Sequence, residues 1–363
     1  MKVLILVEYL YLGGIERLLQ QVASSIELDR CELIFYAYMT PELEGIGQQI
    51  AQTGCKVYFE LKKDGYDFGL VRRLRRVVKK HRINTVHTHD FGPMEYAVSL
   101  KCLMPRLRLV HSQHTLHGLL KRRDYLLFFQ LASWFYYKVH MVSPVVLDEI
   151  KGRSFFLADK RCKVTYNGIK IGDTPIVASQ FDKPLRILSV CRLSPEKNLS
   201  FTLHALSELK KSGIAFHFIH CGAGDELYTE TIQSLIHSLD LVDCVELKGF
   251  QEDVSIELRW ANIFISSSLT EGHPLAVIEA MEQGLLCFLS DIPAHHFAPD
   301  DIAYFFRFDP KQLSGLIKST LLSRSSSELK GRRHRAIHLV RSRFSINHMI
   351  AQYLDSYQQA FIE

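Results

Sequence analysis

The stretch "KVLILVEYLYLGGIERLLQQVASSI", residues 2–26, decides the fold. Residues 2–7 form a short apolar run, the pattern of a parallel strand buried on both faces. Gly13 and Gly14 follow, and from Ile15 the apolar residues recur at helical spacing. Strand, glycine turn and helix make the first βα unit of a doubly wound sheet. Such a helix start aims unpaired N–H groups at the turn, which suits a phosphate. The turn is neither GxGxxG nor a P-loop, so dinucleotide-enzyme and NTPase readings weaken. A turn that simply needs glycine explains the pair as well.

Outward from this unit the alternation repeats. "CELIFYAY" (31–38), "CKVYFEL" (55–61), "INTVHTH" (83–89), "LRLVHSQHT" (107–115), "HMVSP" (140–144) and "CKVTYNGI" (162–169) read as strands. A Gly, Pro and Ser-containing stretch, 170–185, has linker composition. A second series then begins with "RILSVCRL" (186–193) and continues through "CVELKGF" (244–250), "IFISSS" (263–268) and "LLCFLSD" (285–291). The expected fold is α/β: two Rossmann-like domains, residues 1–169 and 186–343, joined by the linker 170–185 and facing a central cleft. A helix over 344–363 is expected to pack back on the first domain. The cleft is the default ligand site.

The 363 residues suit two cores, and 47% hydrophobic with 23% charged residues is a globular composition. A net charge of +5 is too weak for a dedicated nucleic-acid protein. Eight scattered cysteines without CxxC spacing read as free thiols in a reducing compartment. The longest apolar stretch, 125–142, contains Gln130, Lys138 and His140 and does not read as a membrane span. The chain start lacks the pattern of a signal peptide. A cytoplasmic protein is expected.

Chemistry-bearing residues gather at strand ends. "SVCRLSPEKNLS" (189–200) delivers Arg192 and Lys197, a fork and a point charge suited to a diphosphate. "CGAGDE" (221–226) is a second glycine turn, with Gly222 and Gly224. "SSLTEGHPLAVIEAMEQG" (267–284) sets Glu271 and Glu279 eight positions apart. A solvated basic loop, a plain turn and a helix that merely contains acids are the bland alternatives.

In order, "GGIER", "RLSPEKN", "GAG", "LKGF", "IFISSSLTEGHPLAVIEAM" and "SDIP" resemble the large retaining glycosyltransferase family with the GT-B fold and an E-x7-E signature, family 4 of group 1 type. The resemblance runs from Gly13 to Asp291. It implies a nucleotide-sugar donor, a UDP-sugar rather than a GDP-sugar, and no cofactor. It places Glu271 against the donor sugar and its phosphate, and Glu279 on the ribose hydroxyls. Arg192 and Lys197 would neutralise the diphosphate. Backbone around Gly272, His273, Pro274 and Leu275, with Gly13, Gly14, Gly222 and Gly224, would face the donor. His114 takes the place of an active-site histidine. His89 and Glu16 are candidates for the acceptor side, with a hydrogen-bonded core role equally open for His89.

Fixed cations stabilise a leaving diphosphate without a metal, and no DxD motif is present. A zinc site from His111, His114 and His117 is conceivable, but no Cys or carboxylate partner lies nearby in sequence. The chain departs from the family pattern at Cys191, commonly Gly, at Lys170, often Asp, and at "AHHFAPDD" after "SDIP", where a glutamate is common. Retention with same-face attack is expected, acting on a glycan acceptor, lipid-linked, as in lipopolysaccharide or capsule assembly. The rivals are a GT-B epimerase or phosphorylase, and a non-catalytic partner subunit. Basic segments 70–82 and 119–137 pair cations with apolar residues, which suits the anionic inner face of the cytoplasmic membrane or, more blandly, a solvated helix face. Nothing resembles a nucleic-acid readout module.

Overall fold

The computed structural model describes residues 1–11, 13–27, 30–115, 119–120, 122–172, 184–323 and 325–362. His117, Lys121 and residues 173–183 of the expected linker lie outside the described residues. The chain forms two compact units, Met1–Lys170 with Ser345–Glu363, and Ile171–Phe344.

The first unit holds seven strands: β1 (Lys2–Val7), β2 (Glu32–Ala37), β3 (Lys56–Phe59), β4 (Thr85–His89), β5 (Arg108–Gln113), β6 (Lys138–Met141) and β7 (Cys162–Val164). Their order is β3-β2-β1-β4-β5-β6-β7, with every pairing among them parallel. β1 is buried from Val3 to Val7, which explains its unbroken apolar run. Helix Gly14–Ser25 covers the sheet with Leu18, Leu19, Val22 and Ala23. Helix Phe68–His81 does so with Leu70, Val71, Leu74, Val77 and Val78, while Asp67 caps it by accepting from the N–H groups of Gly69 and Leu70.

The chain returns to this unit at its end. Ile346 N donates to Ile169 O at 2.7 Å. A Cβ at Gly168 would lie 2.6 Å from Ser345 O, so this crossing needs glycine. Helix Ile346–Ile362 then brings Tyr353 and Tyr357 against the sheet, both buried.

The second unit has six strands: β8 (Leu185–Val190), β9 (Phe216–Cys221), β10 (Val245–Gly249), β11 (Ile263–Ser266), β12 (Leu286–Ser290) and β13 (Tyr304–Phe306). The order β10-β9-β8-β11-β12-β13 is the same winding, again parallel. In both sheets the strand order reverses beside the first strand, between β1 and β4 and between β8 and β11. Ligands of doubly wound sheets bind at the carboxyl ends of strands at that reversal.

Candidate active site

In the second unit, two loops meet at the β8/β11 reversal. Leu269 N donates to Glu196 O at 2.8 Å. The hydroxyl of Ser267 donates to the carbonyls of Lys197, 3.0 Å, and Asn198, 2.9 Å. Asn198 sits at φ 53°, a left-handed conformation that asparagine tolerates, and helix Leu199–Lys211 starts right after it. These backbone ties bring "RLSPEKN" against "SSLTEG". The Lys197 ammonium consequently reaches Glu271 Oε1 at 2.6 Å, with both side chains about 15% exposed (15% and 14%). Ser268 Oγ donates to the same oxygen at 2.7 Å. Arg192 stays apart from this pair. Its side chain is 76% exposed and meets Glu196 at 3.3 Å.

The helix that follows Glu271 runs only from Leu275 to Glu282, started by Pro274. Glu271 therefore lies in the loop and Glu279 on the second helical turn, rather than on one continuous helix. Gly272 and His273 sit in the loop between Glu271 and Pro274. The His273 ring is buried and packs edge-on against Phe297 and Phe344, at centroid distances of 5.1 Å each. Burial holds its pKa down at about 3, so the ring is neutral.

Gly222 and Gly224 lie where backbone meets backbone closely. A Cβ at Gly222, φ 146°, would sit 1.7 Å from Cys191 O, and one at Gly224 would sit 2.1 Å from Leu193 O. The missing side chains let the turn close onto the Arg192 loop. Cys191, half-buried beside this turn, has its thiol pushed up to about 11 by burial, so it is protonated at neutral pH.

In the first unit the β1/β4 reversal carries different groups. His89 ends β4 and His114 follows β5. Their rings stack at 5.3 Å, and His89 Nδ1 bonds His114 Nε2 at 3.0 Å. Both are buried, and burial lowers both pKa values, that of His114 to about 4. One proton is shared across that bond, so the two outer ring nitrogens are one donor and one acceptor.

Sequence reasoning passed over Asp90. It has φ 56°, and its Oδ1 accepts from the backbone N–H groups of His114, 2.8 Å, and Thr115, 3.1 Å. Desolvation raises its pKa to about 6 despite these bonds. Glu8, at the end of β1, is raised too, first by burial and then by Asp90. The clue was "HTHD", where a polar residue directly follows a buried strand.

Gly13 adopts an extended φ of 165°, open to any residue, and Gly14 is the first helical residue. The carboxylate of Glu16 folds back over Gly13, where a Cβ would lie 2.1 Å from its Oε2. That is the place of the acid in a helix-capping box, and it gives Glu16 a role in starting the helix.

Of the three histidines of the conceivable zinc site, His117 lies outside the described residues. His111 is engaged by Thr88 at 2.8 Å and Gln113 at 3.0 Å, and no group of three or more ligand residues is poised for a metal among the described residues.

Two family profiles match the chain. The one described as Glycosyltransferase Family 4 covers residues 12–172, and the one described as Glycosyl transferases group 1 covers residues 175–335. The chain belongs to this glycosyltransferase family. It is similar to the amylovoran biosynthesis glycosyltransferase AmsK of Erwinia amylovora, 41% identical over 111 residues, which are 28% of this chain and 27% of that protein. The matched region thus spans about a quarter of that relative. It is also similar to the UDP-Gal:alpha-D-GlcNAc-diphosphoundecaprenol alpha-1,3-galactosyltransferase of Escherichia coli, 25% identical over 60% of each chain. Among solved structures, Anabaena HepE in complex with UDP superposes with a TM-score of 0.81 at 18% identity, over 99% of this chain and 100% of that one. The shared fold is the pair of Rossmann-like domains of GT-B glycosyltransferases.

Proposed function

We propose that this glycosyltransferase-family chain transfers a sugar, with retention, from a UDP-sugar to a lipid-linked glycan in surface-polysaccharide assembly. The observation that carries the reading is the Lys197–Glu271 pair at the strand-order reversal of the second unit. An ammonium has three N–H donors. One goes to Glu271, which leaves two for a diphosphate. Arg192, held at the rim by Glu196, adds a second cation. As the glycosidic bond breaks, the leaving phosphate gathers charge that these fixed cations stabilise. The departing phosphate oxygen then takes the proton of the hydroxyl attacking on the same face. Double displacement would need a free carboxylate beneath the anomeric carbon. Glu271, bonded to both Lys197 and Ser268, suits a grip better than a nucleophile.

The base and the acceptor draw support from the relatives. HepE is described with UDP, and the E. coli relative is named for UDP-Gal and a diphosphoundecaprenol acceptor. AmsK is named for amylovoran biosynthesis. The first unit supplies a surface suited to anionic lipid. Arg72, Arg75, Arg76, Lys79 and Lys80 are exposed on helix Phe68–His81, whereas Arg73 is tied down by Glu60 and Asp67. In the second basic segment Leu127, Leu131, Trp134 and Phe135 are exposed. Among the described residues no helix is long and apolar enough to cross a membrane, so the proposed contact is peripheral, on the cytoplasmic face.

A thermal-shift series with UDP-, GDP- and ADP-sugars tests the donor, with stabilisation expected from UDP-sugars. Stabilisation by none of them would sink the reading. Transfer should survive a chelator; loss restored by a divalent ion would overturn the role given to the cations. Sedimentation with phosphatidylglycerol vesicles, and not with phosphatidylcholine vesicles, tests the membrane surface.

A further inference from the structure

We infer that His295 is a positioning residue that sets the geometry of the Lys197–Glu271 pair, an inference resting on the reading of that pair as the donor grip. His295 lies in the stretch after "SDIP" where the chain leaves the family pattern. It closes the short turn Pro293–His295 behind β12, and its side chain is fully buried.

The ring's surroundings assign its protons. Nδ1 lies 2.9 Å from the carbonyl oxygen of Ser290. A carbonyl only accepts, so Nδ1 carries the hydrogen. The opposite tautomer would set a lone pair against that oxygen. Nε2 is then the acceptor, and the Ser266 hydroxyl at 3.3 Å donates to it. Burial, the largest influence on this ring, disfavours its charged form. Glu271 pulls toward protonation while Lys197 and His296 oppose it.

With Nδ1 as donor, the rest of the chain of bonds has one direction. Ser290 Oγ also lies 3.2 Å from Nδ1 and accepts there. Its own hydrogen goes to the carbonyl of Ser268 at 2.6 Å. That bond holds the residue whose hydroxyl donates to Glu271 Oε1 at 2.7 Å, the oxygen that also binds Lys197. His295 therefore acts at a distance. It fixes Ser290, Ser290 fixes the Ser268 backbone, and Ser268 orients the carboxylate that aims the ammonium. Networks of this kind place a charged pair more tightly than packing alone.

The test uses the full chain and calorimetric titration with UDP, or with GDP if that is the nucleotide the unaltered protein binds. H295A should weaken binding on the order of five- to tenfold, the worth of about one hydrogen bond. H295N should restore most of it, because its amide nitrogen falls near Nδ1 and can donate to the Ser290 carbonyl. H295Q, whose nitrogen reaches toward the Nε2 position, should not. S268A, a smaller change within the same chain of bonds, should weaken binding as H295A does and keeps the test open if H295A fails to fold. Thermal unfolding without nucleotide separates lost stability from lost positioning. Binding by H295A or S268A equal to that of the unaltered protein overturns the inference, as does H295N binding as weakly as H295A. K197A is the reference. If it binds nucleotide normally, or if the unaltered protein binds neither UDP nor GDP, the donor reading itself falls.

Discussion

At the β1/β4 reversal of the first unit stand buried, neutral rings, while at the β8/β11 reversal of the second stands an ion pair. The two sheets share one winding, so topology does not make this difference. In the first unit His89 and His114 share a proton, and behind them His87 bonds Tyr357 at 2.6 Å and Ser112 at 2.8 Å. Ser112 in turn donates to Tyr353 at 3.1 Å. The two tyrosines come from the last helix, so the end of the chain completes the centre of the first sheet. In the second unit Lys197 and Glu271 remain partly exposed. Burying a charge without full pairing is costly, whereas neutral polar groups need only hydrogen-bond partners. The comparison teaches that one scaffold carries hydrogen-bonded neutral rings at one reversal and a partly exposed ion pair at the other, according to how far each strand end is buried.

The largest expected effect falls on the charged side. Lys197→Ala should lower the transfer rate on the order of a hundredfold or more, the scale of losing one fixed donor to a developing charge. Rate assays with the preferred nucleotide sugar read this, and an unchanged rate would remove the contrast between the units.

Acid should act more strongly on the neutral side. The folded-state pKa of His111 and His140 is about 3 and that of His114 about 4, with His87 and His89 also well lowered, in every case chiefly by burial. Unfolded, each would titrate near 6.5. The folded state gives up stability as pH falls below about 6.5, and continues to do so down to these folded values. The cost is at most about 1.4 kcal/mol per pH unit for each histidine. Asp90, raised to about 6, works in the opposite sense, as do Glu8 and Glu95. The second unit buries three histidines of the same kind, His220, His273 and His295. Four of the first unit's buried histidines lie within β4–β6, whereas only His220 of the second unit's three lies in a strand, so amide exchange between pH 7.5 and 5.5 should show protection lost first in β4–β6. Equal loss in both sheets would break the comparison.

Glu279→Ala should weaken nucleotide binding by about tenfold with a smaller change in the catalytic step, as for one hydrogen bond to a charged group. Calorimetry against turnover checks this split, and unchanged affinity would remove the ribose assignment. The smallest effect sharpens the neutral side. Tyr357→Phe should cost about 1 kcal/mol in urea unfolding, the net value of its bond to His87. No change would mean that the Tyr357–His87 bond adds nothing to the hold of the last helix.

The strands were legible because buried parallel strands are written as unbroken apolar runs. β13 was not, since three residues, Tyr304–Phe306, carry too little pattern. In the candidate site, Lys197 and Glu271 could be named in advance because each lies in a motif with local spacing. Their 2.6 Å contact could not, because it depends on Ser267 and Leu269 tying two loops 70 residues apart. Asp90, Glu8 and His295 escaped for the same reason. Their surroundings come from neighbouring strands and turns rather than from neighbours in sequence.

By itself, then, the sequence determined the two βα series, the family and the residue types available for a diphosphate. Periodicity and short motifs are local properties, and local properties are written in order along the chain. Tertiary structure alone decided which of those residues carry charge and which stay neutral. It set His89 on His114, laid Tyr353 and Tyr357 under the first sheet, and ran the bonds from His295 to Glu271. Charge state and hydrogen-bond direction follow from burial and from the partner across a contact, and both exist only once the sheets are assembled.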